Sequence, residues 1–244
     1  MTTVRDEIEE TTDGEDTPTP PSPRMPFMKY TIFDAPVLNV VTRFLSLILL
    51  RLIGWRQGGE RPTPPRYVLI AAPHTSNWDF LLLMAFAFRC RVRLYWMGKD
   101  AIFKGWYSPF VKFVGGIPID RKKQTGMVAQ TAELFAHSER LVVTVPAEGT
   151  RSRSEGWKSG FYHIAMTANV PVVLGFLDYA KKVGGFGPAV TLTGDMQADM
   201  VAITDFYRDI GARYPEKKTE PRILPTTPAE SDRSAAKDPI EDTT

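Results

Sequence analysis

The chain has 244 residues, 43% of them hydrophobic, with 30 Lys and Arg against 28 Asp and Glu. That length supports a sizeable core, and the composition is ordinary for a globular protein. One cysteine and three histidines exclude an intramolecular disulfide, a multi-cysteine zinc or iron–sulfur site and a His-rich metal array.

The net charge of +2 is unevenly spread. Residues 1–24 carry −5 and residues 215–244 carry −2, which leaves +9 on residues 25–214. Neither end segment contains a Phe, Trp or Tyr, yet together they hold nine of the 20 prolines. Such segments bury too little apolar surface to offset chain entropy. We therefore expect disordered tails over 1–30 and 215–244. The basic middle predicts anionic partners, whether phosphates, nucleic acid or an acidic membrane surface. The acidic, Pro-rich N-terminus does not read as a secretory signal, so the region between the tails is expected to stay in the cytoplasm.

Residues 31–57 read as a membrane-associating helix. Asp34 is placed to cap it and Pro36 suits its first turn. Asn39, Thr42, Arg43 and Ser46 recur at i, i+3, i+4 and i+7, making one polar stripe on an otherwise apolar segment that Gly54 closes. Residues 34–54 would reach about 32 Å, enough to span a bilayer. Arg43 would then sit near the bilayer centre at a cost of roughly 2.5–3.5 kcal/mol. A helix lying in the interface is favoured, with Trp55 and Arg56 as further anchors. The competing assignment is a buried core helix, which periodicity does not separate from it.

The stretch 57–66 is a Gly/Pro linker by composition. Beyond it strands and helices alternate. Strands are predicted at 67–72, 91–97, 117–120, 141–145, 170–178 and 189–194. Helices are predicted at 77–89, 126–137, 158–168 and 198–214, with a bent or hairpin helix over 101–113 interrupted by Pro109. This pattern gives an α/β domain over 58–214, with a mixed, largely parallel sheet flanked by helices. Ligands of such sheets bind beyond the carboxyl ends of the strands.

Four elements carry chemistry. Strand 67–72 runs into Pro73-His74-Thr75-Ser76-Asn77-Trp78-Asp79, which places His74 in the turn and Asp79 about one turn into the next helix. A carboxylate there fixes the imidazole tautomer and leaves the other ring nitrogen as the base for a hydroxyl proton. The plain alternative is a helix-capping turn in which His74 is a surface hydrogen-bonder. Gly115-Gly-Ile-Pro-Ile-Asp120-Arg121 puts a guanidinium at a strand end, followed by Lys122 and Lys123. It is an anion site or a solvated charge run. Strand 141–145 leads into Pro146-Ala-Glu148-Gly149-Thr150-Arg151. Gly149 permits a tight turn, and Thr150 and Arg151 supply donors suited to phosphate. Val170-Pro171-Val172-Val173 is a strand start, where proline is tolerated.

In this order the four elements resemble the glycerolipid acyltransferase family, which includes 1-acyl-glycerol-3-phosphate acyltransferases. His74 and Asp79 match its His-x4-Asp block, Gly116 to Arg121 its second, Glu148 to Arg151 its Glu-Gly-Thr-Arg, and Val170 to Val173 its Val-Pro strand. The resemblance covers about residues 35–200. It implies transfer of an acyl group from acyl-CoA or an acyl-carrier protein to a lysophospholipid hydroxyl, with no other cofactor and no metal. His74 would be the base and Asp79 its orienting group. Arg121, Glu148, Gly149, Thr150 and Arg151 would bind the acceptor phosphate. Partners would be the lipid surface, the lysolipid and the thioester, at the cytoplasmic face as a peripheral membrane protein.

Pro118 stands where many relatives carry a bulky residue, and the fourth block continues Val173-Leu174-Gly175 without a second proline. Both departures bear on the acceptor, leaving another lysolipid or a glycolipid as the alternative. Two other classes were weighed. No helix-turn-helix, zinc finger or RNA-binding sheet motif accompanies the basic residues, which argues against nucleic acid. A non-catalytic membrane module would not need the intact His74/Asp79 pair. Cys90, between Arg89 and Arg91, is either a thiol of lowered pKa or a small buried hydrophobe, the commoner role. The aromatics Phe103, Trp106, Tyr107, Phe110 and Phe113 either touch membrane, line an acyl tunnel or pack in the core.

Overall fold

The structure, a computed structural model, describes residues 30–119 and 126–223. Seven strands form one sheet: β1 (Arg56–Gly59), β2 (Arg66–Ala72), β3 (Tyr95–Lys99), β4 (Gly116–Ile119), β5 (Leu141–Val145), β6 (Val172–Asp178) and β7 (Val183–Val190). Their spatial order is β1-β7-β6-β2-β5-β3-β4. Every neighbouring pair is parallel except β6 and β7. The fold is thus mixed α/β with a largely parallel sheet.

The helices are α1 (Pro36–Leu52), α2 (Trp78–Arg89), α3 (Ser108–Phe113), α4 (Gly126–Ala136), α5 (Gly160–Ala168) and α6 (Met196–Arg208). Successive residues of a strand face opposite ways. In β2, Val68 and Ile70 enter a core with Phe135 of α4, Phe161 and Ile164 of α5 and Ile203 of α6. Tyr67 and Leu69 enter a second core with Leu83, Ala87 and Phe88 of α2. Burial on both faces explains why the central strands are continuous β-branched runs.

The outer parts of the sheet differ from the sequence expectation. The supposed linker contains β1, so the sheet begins at Arg56. The strand expected at 189–194 lies instead at Val183–Val190, antiparallel to β6. Residues 91–94 precede β3, because Arg91 adopts φ 55° at the end of α2. The segment 101–113 divides into a 3-10 turn, Asp100–Phe103, and α3. The final helix runs Met196–Arg208 and is capped by the Asp195 carboxylate, which accepts from the Gln197 and Ala198 amides.

The expected C-terminal tail is also shorter, for residues 215–223 pack on the domain. The Trp157 amide donates to Arg222 O at 2.8 Å, and Thr204 Oγ1 donates to Pro221 O at 2.6 Å. Lys218 Nζ donates to three carbonyls at the end of α6: Tyr207, Arg208 and Ile210. Those carbonyls have no intrahelical donor, so an ammonium satisfies them. The rest of both expected tails, residues 1–29 and 224–244, lies outside the described residues.

At α1 the polarity is inverted relative to a core helix. Asp34 does not cap it. Ala35 holds the cap position without a side-chain bond, while Asp34 accepts from Thr31 and pairs with Arg93. Ser46 of the polar stripe is buried and Asn39, Thr42 and Arg43 are half-buried. The apolar residues point outward: Val37, Val40, Phe44, Leu45 and Leu52 are all exposed. Leu50 and Trp55 tie the helix end to Phe86 and Leu82 of α2. Trp55 is therefore a core residue, edge-on to Tyr179 at 4.9 Å, and not a surface anchor. Among the described residues no helix is long and apolar enough to cross a membrane.

Candidate active site

The sheet order places β6, β2 and β5 side by side and parallel, so their carboxyl ends emerge together. His74 follows β2, Glu148 follows β5 and Tyr179 follows β6. Three residues far apart in sequence thus meet at one edge.

Asp79 is 4% exposed and holds the site together. Its Oδ2 accepts the Thr75 and Ser76 amides, each at 2.8 Å, and lies 3.2 Å from His74 Nδ1. The amide contacts tie the loop that precedes α2 to the helix's first turn, with the carboxylate reaching backward. The orienting role weighed from the sequence thus falls to Asp79, while Asn77 holds the cap position of α2 without a side-chain cap bond. Its Oδ1 accepts the Tyr179 phenol at 2.6 Å. Burial works against ionisation of Asp79, but the bonds from His74, Tyr179 and the Ser76 amide outweigh it and hold the carboxyl below its ordinary value.

Glu148 is fully buried. Its Oε2 accepts the His74 backbone amide at 3.0 Å, and Oε1 has no hydrogen-bond partner among the described residues. Burial raises its pKa, opposed by the bond from the His74 amide. The carboxylate expected among the phosphate ligands is directed instead at the loop that carries His74. Gly149 supplies the turn at φ 68°, where an added Cβ would meet Lys158 Cγ at 3.0 Å. Thr150 and Arg151 stand exposed beyond it. Arg121, with Asp120, lies outside the described residues.

A cavity of about 210 Å³ opens beside His74 and Asp79. Its walls are mainly apolar, with Phe80, Leu83, Trp96, Met97, Phe176 and Leu177 among them. The aromatic cluster of the sequence divides here. Phe103 is buried against Trp96, whose indole lines the cavity, while Trp106 and Phe110 are exposed. Cys90 is buried, and burial pushes its thiol up despite Arg89 and Arg61 nearby. That is the behaviour of a packing residue, since a nucleophilic thiol needs the opposite shift.

Two residues of the site escaped the sequence reading. Tyr179 closes the contact set of Asp79. Arg213, in the segment after α6, lies over the rings of Trp78 at 5.7 Å, Tyr179 at 5.9 Å and Tyr214 at 5.7 Å. Tyr179 had a signal, since it sits at the carboxyl end of a predicted parallel strand. Arg213 had none, because it lay within a predicted helix.

The family model described as Acyltransferase matches residues 56–173, which include His74, Asp79 and the Glu148–Arg151 turn. Over those residues the chain carries an acyltransferase domain. The enzyme's fold is similar to the crystal structure of the 1-acyl-sn-glycerophosphate acyltransferase PlsC from Thermotoga maritima. That match has a TM-score of 0.51 and 12% identity, over 72% of this chain and 79% of that one. No curated protein sequence matches this acyltransferase.

Proposed function

We propose that this acyltransferase moves a fatty acyl group from an acyl thioester, acyl-CoA or acyl-carrier protein, to the free hydroxyl of 1-acyl-glycerol-3-phosphate, giving phosphatidic acid. The observation that carries the reading is the His74 Nδ1–Asp79 Oδ2 contact of 3.2 Å at the mouth of an apolar cavity. With Nδ1 committed to the carboxylate, Nε2 is the nitrogen left for the acceptor hydroxyl. Nε2 takes the hydroxyl proton as the oxygen bonds to the thioester carbonyl carbon. The tetrahedral adduct then expels the thiolate, which takes a proton back from the imidazolium. Each proton is returned, and no covalent enzyme intermediate is needed. The apolar cavity suits an acyl chain. Thr150 and Arg151, exposed on the neighbouring strand end, suit the acceptor phosphate.

The outward apolar face of α1 supports docking on the lipid surface that holds the acceptor. Arg43 is half-buried toward the body of the protein, so a helix lying flat avoids the charge cost that spanning would incur.

The test is acyl-CoA-dependent acylation by the full chain in lipid micelles across lysolipid acceptors, with His74→Ala alongside. Product from lysophosphatidic acid, slowed by about 10²–10⁴ in the variant, supports the reading. Full activity in the variant rejects His74 as the base. Turnover only with another lysolipid or a glycolipid keeps the chemistry and changes the acceptor.

A further inference from the structure

The bond network around Asp79 extends past the His74 pair. Asp79 Oδ1 would be a buried carboxylate oxygen facing β6 were it not for the Tyr179 phenol, which donates to it at 2.6 Å. That is the length of a charge-assisted O–H···O⁻ bond. The phenol is itself fixed from three sides. Its ring meets Trp55 edge-on at 4.9 Å. Its backbone amide donates to Gly211 O at 2.8 Å, and the Gly211 amide donates back to Asp178 Oδ1 at 3.3 Å. Arg213 then stands over the ring at 5.9 Å, where a cation strengthens the phenol as a donor. On the far side, the Tyr214 amide donates to Thr75 Oγ1 at 3.3 Å, which ties the same segment to the His74 loop.

We propose that Tyr179 is a positioning residue for acyl transfer: its phenol pins Oδ1 of Asp79 so that Oδ2 stays directed at His74 Nδ1, and Arg213 is the outer member of the same network. The proposal rests on His74 being the base. Asp79 has two oxygens and a rotatable carboxylate. Oδ2 is held by two amides, and the phenol removes the remaining freedom while satisfying the second oxygen. Burial and the nearby carboxylate both raise the Tyr179 pKa, so the phenol remains a donor wherever Asp79 is ionised.

The ionisable groups facing the pair are Tyr179 after β6 and Glu148 after β5, with Arg213 facing Tyr179 from the segment after α6. Tyr179→Phe keeps the ring against Trp55 and removes only the hydroxyl. Its expected effect is a fall in kcat of about tenfold to a hundredfold, with the acceptor KM nearly unchanged. The carboxylate that has lost a donor holds protons more tightly, so the acid limb of the pH–rate profile should move up by about half a unit to one unit. Arg213→Gln should move both quantities the same way by a smaller amount.

The experiment measures kcat, KM and pH profiles for full-length protein, Tyr179→Phe, Arg213→Gln and His74→Ala. The His74 ring is also titrated by NMR in the first three. A dead His74→Ala beside a Tyr179→Phe of unaltered kcat and acid limb overturns the proposal and leaves the base assignment standing. An active His74→Ala removes the base assignment and the proposal with it. An unshifted His74 titration in Tyr179→Phe overturns the proposal independently of any activity.

Discussion

Replacing Phe44 and Leu45 together by serine tests the assignment of α1 to the lipid surface. Both side chains leave the protein body, with Phe44 62% exposed and Leu45 56% exposed. Full transfer of such a side chain from water contributes about 1.5–3 kcal/mol. Scaled by the exposed fractions, the pair should contribute about 1.8–3.5 kcal/mol to partitioning, a roughly 20- to 300-fold change in the partition constant. The assay is co-sedimentation of the full chain with vesicles containing anionic lipid, titrated with lipid. Neither residue belongs to the buried core, so thermal stability should change by less than about 0.5 kcal/mol. Partitioning that is unaltered in the double variant, with the fold intact, would refute the assignment of this face to lipid.

The other expectations concern the site and its supports. Arg151→Ala should raise the acceptor KM several-fold with little effect on kcat, and an unaltered dependence on acceptor concentration would dismiss the phosphate role. Asp79 and Glu148 have opposite pH signatures. Asp79 sits below its ordinary 3.8, so its contribution to stability is complete above that pH and disappears as the pH falls through the lowered value. Glu148 sits above its ordinary 4.5, so its contribution is complete below that pH and fades as the pH rises through the raised value. Thermal unfolding against pH should therefore flatten on the acid side in Asp79→Asn and above pH 4.5 in Glu148→Gln. Lys218→Met should lower unfolding free energy by about 1–2 kcal/mol in urea titration, because three carbonyls at the end of α6 lose a charged donor.

How much of this was legible follows from what each segment is made of. β2, β5 and β6 carry β-branched runs because they are buried on both faces, and the sequence marked all three. β1 and β7 carry Gly58, Gly59, Gly184, Gly185 and Gly187, which erase that pattern. Gly185 takes φ 151°, and a Cβ there would lie 2.2 Å from Gly58 O, so the close approach of the two strands demands the residue that hides them. Pro188 added a false stop. It lies where β7 shifts register against β6 and extends past β1, a place proline tolerates. The His74/Asp79 pair was legible because both partners lie on one turn. The Glu148 contact with the His74 amide was not, since it joins strand ends that only the sheet order brings together. The C-terminal stretch 215–223 carried a tail's composition, yet Lys218, Thr219 and Arg222 each reach a bonding partner on the domain, which composition does not encode.

The wide spacing of these contacts orders events during synthesis. The outward-facing α1 is complete by Leu52, long before the chain reaches the residues that brace the histidine. A nascent chain ending before Tyr179 holds Asp79 by His74 and the two amides without the phenol, and one ending before Tyr214 lacks the brace on Thr75, a bond 139 residues long in sequence. The helix with the exposed apolar face is thus made while the contacts around Asp79 are still incomplete. These supports of the His74–Asp79 pair arrive only with the last stretch of the folded domain.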